Sequence, residues 1–240
     1  MKNKFIIFDL DDTLIECGIY YKENKNTFVQ QMISLFPGET VESIMEKQSE
    51  RDMALMPSLG LDCSRYALSL VQTYKSFCEQ YEAAIDIDKC NAFFELGMSI
   101  FKIVPALKEE TISILKDLDK NNIYLLTAGS LSTQWKKLND TGLDQYFKKE
   151  NVFIFERKRK QEMQVVINKI KMDHPGSTTD NMFMVGDSFA TDIKAATSSK
   201  VHAIHIKRND SWDFAKEPEK DFATCHSLYE VINYIKNYNK

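Results

Sequence analysis

The sequence predicts an α/β fold, in which a parallel sheet with helices on both faces carries an inserted all-helical segment. Short apolar runs rich in Ile, Val, Phe and Tyr are typical of buried strands. They cover residues 4–9, 122–127, 151–155, 181–185 and 201–206. From the second run onward, helical patterns fill the gaps, and those over 106–119 and 160–172 place their apolar residues on one side. Strand–helix alternation of this kind indicates a parallel sheet covered by helices on both faces.

The chain between the first strand and Pro105 has a different pattern. It shows no convincing strand, and its helical stretches cover residues 27–36, 40–55, 65–82 and 88–100. We therefore expect an α/β core domain formed by residues 1–15 and 105–240, with a helical domain at 16–104 inserted into it.

Composition excludes several classes of function. The chain has 240 residues, of which 43% are hydrophobic, and a net charge of −4, so no overall basic field favours a nucleic-acid partner. Its apolar runs are too short for a membrane span or a signal-peptide core. The five cysteines are scattered without a Cys-x-x-Cys pair, which argues against a zinc site. We expect a cytoplasmic protein with reduced thiols and no membrane partner.

Acidic residues cluster where the first strand ends, in the segment FIIFDLDDTL. Alternation along an extended chain would put Asp9, Asp11 and Thr13 on one side and Asp12 on the other. Ligands of open α/β sheets bind at the carboxyl ends of the strands. Because like charges this close repel, we expect a cation among them. The competing interpretation is an acidic turn, or a helix N-cap formed by Asp12 or Thr13.

Two further strand ends carry polar groups. The second strand ends in Thr127-Ala128-Gly129-Ser130, a hydroxyl followed by a glycine loop whose main-chain N–H groups suit an anion. The fourth ends in VGDSFATDI, which supplies Asp187 and Asp192. Asp187 alone is equally consistent with the cap of a helix beginning near Ser188. A hydroxyl and two sets of acids at successive strand ends form a more specific pattern than any one of them.

The order of FDLDDTL, LLTAGS, a lysine-bearing segment and VGDSFATDI resembles the haloacid dehalogenase-like superfamily, specifically its magnesium-dependent phosphatases. The similarity spans residues 5–206. It implies a Rossmann-like core and makes residues 16–104 the superfamily's mobile cap domain. It also implies hydrolysis of a small phosphorylated metabolite through an aspartyl-phosphate intermediate. Mg²⁺ is the implied cofactor, held by Asp9, the main-chain carbonyl of Asp11 and Asp187, with Asp192 orienting a metal-bound water.

By the same resemblance, Asp9 attacks phosphorus, and Asp11 protonates the leaving alcohol and later deprotonates water. Thr127 holds a phosphoryl oxygen, and a lysine neutralises the developing charge. The family lysine often stands before a proline, which is missing here. Counting back from the apolar helix favours Lys158, and Lys160 is the alternative. The family commonly has Asn where this chain has Ala128, so we expect a weaker contact with the phosphate.

Other functions stay open at this stage. A phosphomutase of the same superfamily uses the same first steps, and a catalytically silent binding protein could retain the fold. The dehalogenase branch lacks an acid two residues after its nucleophile, so Asp11 argues against it. A response-regulator receiver would be about half this length. The cap domain chooses the substrate in this superfamily, and Tyr21, Arg65 and Tyr66 are candidate contacts if their helices overhang the site.

Overall fold

The computed structural model describes residues 3–207 and 222–238. The chain divides into two compact units. Unit 1 comprises Met1–Gly18 and Val104–Lys240, and unit 2 comprises Ile19–Ile103. These boundaries lie one to three residues from those expected from the sequence.

Unit 1 is built on a six-stranded parallel sheet with the strand order β3-β2-β1-β4-β5-β6. The strands are β1 (Phe5–Phe8), β2 (Ile123–Ala128), β3 (Val152–Phe155), β4 (Met182–Gly186), β5 (His202–Ile206) and β6 (Phe222–Cys225). The five predicted strands are confirmed to within one residue at each end, and β6 was not predicted.

Helices cover both faces of this sheet, as predicted. They are α5 (Thr111–Lys116), α6 (Leu131–Thr141), α7 (Lys160–Asp173), α8 (Lys194–Ser198) and α9 (Leu228–Asn237). On one face, Ile6 and Phe8 of β1 share a buried cluster with residues of α5, α6 and α9. On the other face, Phe5 and Ile7 pack with residues of α7 and α8. Alternate side chains of one strand therefore enter two cores, which is why β1 is apolar throughout.

The helix predicted over 106–119 is wrong in extent, because only Thr111–Lys116 is α-helical. The preceding residues pair instead with the chain that leaves β1. Glu16 N donates to Ala106 O at 2.7 Å, and Lys108 N donates to Leu14 O at 3.0 Å. These main-chain groups are used across the two segments, so they do not form the turns of a helix.

Unit 2 is all-helical. Its helices are α1 (Gly18–Leu35, whose first residue belongs to unit 1), α2 (Val41–Leu59), α3 (Cys63–Gln80) and α4 (Ile87–Ser99). Each predicted helical stretch overlaps one of them and extends at most two residues beyond it, and α1 begins nine residues before the predicted start at 27. The unit has its own core, in which Phe28, Tyr74 and Phe93 are fully or almost fully buried. Aromatic side chains at helical spacing on α3 thus pack between helices.

Across the two described stretches of the chain, no helix is both long and apolar enough to cross a membrane.

The close contact between α3 and α4 predicts a sensitive position in unit 2. A Cβ on Gly97 would overlap the main chain at Ala67. We expect Gly97→Ala to lower the free energy of unfolding by about 2 kcal/mol, because a helix backbone yields less readily than a side chain. Urea unfolding followed by circular dichroism measures this. Gly38→Ala is the control, since a Cβ there meets only the Tyr81 hydroxyl at an ordinary 3.4 Å. Equal stability of the two variants would contradict the packing argument.

Candidate active site

A buried ammonium joins two carboxylates at the carboxyl edge of the sheet. Asp9 directly follows β1, and its N–H donates to Val185 O at 2.9 Å. Lys158 lies between β3 and α7, and its Nζ is 2.5 Å from both Asp9 Oδ1 and Asp192 Oδ1. Lys160 is exposed at the start of α7. Of the two candidate lysines, the structure therefore brings Lys158 to the acidic residues.

Three carboxylates converge at this edge. One oxygen from each of Asp9, Asp187 and Asp192 lies within 4.8 Å of the other two. Asp187 follows Gly186, the last residue of β4, and a Cβ on Gly186 would overlap the Asp192 carboxylate. The glycine therefore allows Asp192 to approach the strand end. Asp192, predicted only to orient a water, belongs to the cluster itself and also accepts a hydrogen bond from Ser188 N at 3.2 Å.

The electrostatics of this cluster favour a cation. Burial, together with the charge of Asp192, raises the pKa of Asp9 to about 7 although Lys158 opposes the shift. Burial and the charges of Asp9 and Asp192 raise the pKa of Asp187 to about 9. Burial would lower the pKa of Lys158, but Asp192 and Asp9 outweigh burial and raise it. The raised pKa values of Asp9 and Asp187 reflect burial and repulsion among three carboxylates around one ammonium, and a hard divalent cation bound to these oxygens would relieve that repulsion.

The chain beyond Asp9 turns, so strand alternation is the wrong reason for the grouping of the acids. The strand ends at Phe8, and Asp12 has a left-handed φ of 57°. Asp9 and Thr13 still meet, since Thr13 Oγ1 donates to Asp9 Oδ2 at 3.2 Å. The Asp12 carboxylate accepts hydrogen bonds from Cys17 N and Gly18 N, each at 2.9 Å. Asp12 thus orders the turn that leads into α1, close to the N-cap role considered for it.

Asp11 is held by two residues of α6 that the sequence analysis missed. Lys137 Nζ lies 2.8 Å from each Asp11 carboxylate oxygen. Gln134 Nε2 donates to Asp11 Oδ2 at 3.1 Å and to Thr127 Oγ1 at 2.6 Å. Burial would raise the pKa of Asp11, but the charge and hydrogen bond of Lys137, with the hydrogen bond from Gln134, lower it overall.

A helical signal for these two residues is present in the sequence. Gln134 and Lys137 are three apart, so they share one face of a helix. That helix begins directly after the Thr127–Ser130 loop, which places its first turns beside the end of β2.

Thr127 is buried near the end of β2, where its hydroxyl accepts the Gln134 hydrogen bond. The glycine loop beyond it is less available to an anion than expected. Gly129 N already donates to Phe155 O at 2.9 Å, and the Ser130 hydroxyl accepts from Thr133 N at 3.2 Å as the N-cap of α6. The loop is therefore hydrogen-bonded to the end of β3 through Gly129, and it caps the start of α6 through Ser130.

The three candidate substrate contacts of unit 2 have partners within that unit. Arg65 forms an ion pair with Asp52. The buried Tyr66 donates to Asn24 Oδ1 at 3.1 Å, and the Tyr21 ring packs edge-on against the Tyr66 ring at a centroid distance of 5.1 Å. These contacts are those expected of an ion pair and of side chains packed between helices.

Comparison with known proteins shows the family of this chain. The family described as haloacid dehalogenase-like hydrolase matches residues 4–199 of the chain. None of the curated proteins compared with the chain matches it.

Several solved structures share the fold over nearly the whole chain. A haloacid dehalogenase-like family hydrolase from Xanthomonas campestris is 17% identical, with a TM-score of 0.75, covering 97% of this chain and 91% of that one. A protein described as a predicted phosphoglycolate phosphatase from Haemophilus somnus 129PT is 15% identical, with a TM-score of 0.61 and coverages of 97% and 98%. A 2-haloacid dehalogenase from Pseudomonas syringae pv. tomato DC3000 is 18% identical, with a TM-score of 0.58 and coverages of 98% and 99%. Identities this low show a shared fold and no particular reaction.

The repulsion among the three carboxylates predicts opposite effects for two substitutions. Without added metal, Asp187→Asn should raise the free energy of unfolding by about 1 to 3 kcal/mol, because it removes a buried carboxylate from a repulsive cluster. Lys158→Met should lower it by about 3 kcal/mol, because it leaves the carboxylates without their ammonium. Urea unfolding in the presence of EDTA measures both.

The exposed Asp144 supplies the control, since Asp144→Asn should change stability by less than about 0.5 kcal/mol. A destabilised Asp187→Asn protein would contradict the view that the cluster carries more negative charge than the fold alone requires.

Proposed function

Since the chain belongs to the haloacid dehalogenase-like hydrolases, we propose that it is a Mg²⁺-dependent phosphatase. Its substrate would be a small phosphorylated metabolite, and the reaction would pass through an aspartyl phosphate on Asp9. The observation that carries this proposal is the placement of Asp11. A second carboxylate stands two residues after the nucleophile and is hydrogen-bonded through Gln134 to Thr127.

The first step transfers the phosphoryl group to the protein. A carboxylate oxygen of Asp9 attacks phosphorus, a new P–O bond forms, and the bond to the ester oxygen breaks. Lys137 and Gln134 lower the pKa of Asp11 in the free protein, so Asp11 would take up a proton when the anionic ester binds beside it. It then gives this proton to the departing alkoxide, which leaves as the alcohol. Lys158 offsets the charge that develops on the phosphoryl oxygens, and Thr127 donates a hydrogen bond to one of them.

The second step returns the protein to its starting state. Asp11, now a carboxylate, takes a proton from water, and the hydroxyl oxygen attacks phosphorus. The bond between phosphorus and Asp9 breaks, which releases inorganic phosphate and restores the Asp9 carboxylate. One acidic side chain thus serves both half-reactions because it changes protonation state between them.

The acidic cluster supports Mg²⁺ as the cofactor. Mg²⁺ prefers oxygen ligands, and Asp9, Asp187 and the main-chain carbonyl of Asp11 would hold it, with Asp192 close to both carboxylates. When bound, Mg²⁺ would allow an anionic ester to approach an anionic nucleophile.

Unit 2 would act as the cap that selects the substrate. It enters the chain between the strand that supplies Asp9 and the strand that supplies Thr127. A capped site suits a small metabolite better than a phosphoprotein. The five cysteines, all free, suit the reducing cytoplasm as the place of the reaction.

Dehalogenation is the main competing reaction, because dehalogenases share this fold. A halide leaves without a proton, so it needs no acid two residues after the nucleophile. Phosphate monoesters lose an alkoxide, which needs that acid. The contacts of Gln134 and Lys137 with Asp11 therefore favour the phosphatase reaction.

Hydrolysis of 4-nitrophenyl phosphate tests the proposal directly. We expect Mg²⁺-dependent release of inorganic phosphate from the wild type, and a loss of roughly three orders of magnitude in Asp9→Asn, because an amide is a poor nucleophile. Lys160→Ala, altered at an exposed lysine two residues from Lys158, should retain the wild-type rate. Chloride release from 2-chloropropionate without phosphatase activity would show the dehalogenase instead, and wild-type activity in Asp9→Asn would refute the nucleophile.

Metal binding can be tested without turnover. Mg²⁺ in excess over its dissociation constant should raise the melting temperature of the wild type, since a ligand that binds only the folded state stabilises it by about 2.7 kcal/mol at 100-fold excess. The shift should be largely lost in Asp187→Asn and kept in Asp144→Asn, at constant ionic strength. Equal shifts in all three proteins would place the Mg²⁺ elsewhere.

A further inference from the structure

The ammonium of Lys137 contacts Asp11, the residue that protonates the leaving group in the proposed mechanism. We propose that Lys137 binds an anionic group on the departing alcohol, so that the protein prefers phosphate esters whose alcohol carries a second negative charge. This inference rests on the proposed phosphatase function and specifies its substrate class.

The distance between Lys137 and Asp11 supports this assignment. Asp11 must hydrogen-bond the ester oxygen in order to protonate it, and Lys137 Nζ lies 2.8 Å from both oxygens of the same carboxylate. An ester oxygen bonded to Asp11 would therefore lie within about 6 Å of the ammonium. A carboxylate whose carbon lies two or three bonds beyond the ester oxygen can span that gap and form its own hydrogen bond with Nζ.

Exposure separates the two ammonium groups of the site. Lys158 is only 6% exposed and lies between Asp9 and Asp192, where its charge serves the reacting phosphoryl group. The side chains of Lys137 and Asp11 are 18% and 28% exposed, so a ligand can reach this pair. An ammonium that is partly shielded from water attracts an anion more strongly than a fully hydrated one does.

Asp11 does not depend on Lys137 alone for its position. Gln134 Nε2 also donates to Asp11 and ties it to Thr127 and to Ala128 O at 3.2 Å. Lys137 can therefore turn toward a substrate anion while Gln134 keeps the acid in place. Lys137 already forms a charge-assisted hydrogen bond with the carboxylate of Asp11. It could form the same kind of bond with a carboxylate of the substrate.

Matched ester pairs test the proposal, because they differ in one negative charge. The pairs are 2-phosphoglycolate with 2-hydroxyethyl phosphate, and 3-phosphoglycerate with glycerol 3-phosphate. For at least one pair, we expect the wild type to prefer the carboxylate ester by about tenfold or more in kcat/KM. Lys137→Met should lower that ratio by about tenfold, chiefly by raising KM for the charged ester, and Lys137→Gln should act in the same way.

Two lysine variants serve as controls. Lys136→Met alters the neighbouring lysine, which is 49% exposed and paired with Asp140, and should leave the ratio unchanged. Lys137→Arg keeps the charge and should keep the preference within about threefold. Together they separate the charge at position 137 from the length of the side chain and from the general charge of α6.

The outcomes distinguish this inference from the function on which it rests. Hydrolysis of 4-nitrophenyl phosphate with no preference within either pair would overturn the inference and leave the phosphatase standing. A ratio unchanged in Lys137→Met, with kcat lowered alike for charged and neutral esters, would show that Lys137 only positions Asp11, and would also overturn it. No hydrolysis of any ester by folded wild type would defeat both.

Discussion

The ion pair between Lys158 and the buried carboxylates of Asp9 and Asp192 is the constraint from which the rest of the site follows. Asp9 is 2% exposed and Asp192 is fully buried, and neither charge is tolerable at that depth without a nearby cation. The strand order β3-β2-β1-β4 brings the ends of β1, β3 and β4 to one edge of a parallel sheet. Lys158 lies in the loop after β3, so it reaches both carboxylates from this same edge.

The same constraint shapes the segment after β4. Ile193 N reaches back five residues to Ser188 O at 3.1 Å, and this wider turn precedes the regular helix α8. Such π-helical turns are common at functional sites. Together with Gly186, the turn brings Asp192 against the strand end, and His205 of β5 contacts Asp187 O through Nε2 at 2.9 Å. The backbone geometry of this segment therefore sets the distance between the Asp187 and Asp192 carboxylates, and the identity of the two side chains would not be enough to set it.

Sequence reasoning was most successful where one local pattern determines the structure. Apolar runs buried on both faces identified five strands, and the acids and Thr127 at strand ends indicated the edge of the sheet where these side chains converge. Reasoning was least successful where a contact joins distant segments. The pairing of Glu16 with Ala106 shortened the helix predicted from residue 106, because amphipathic periodicity cannot reveal a competing main-chain partner. Gln134 and Lys137 were missed for a related reason, since each contacts an acid more than 120 residues away.

Asp9 and Asp11 show how two identical side chains, two residues apart, acquire different properties. Burial raises the pKa of Asp9 despite its contact with Lys158, whereas Lys137 and Gln134 overcome burial and lower the pKa of Asp11. The ammonium beside Asp9 is shared with Asp192, whereas the one beside Asp11 contacts both of its oxygens. A solved phosphatase and a solved dehalogenase share this fold, and the proposed function uses Asp9, at the end of the first strand, as the nucleophile. What separates the two chemistries is help for the leaving group, and in this protein the groups that hold the second acid come from α6. Under the proposed function, the choice of reaction therefore depends as much on one face of α6 as on the acidic residues that follow β1.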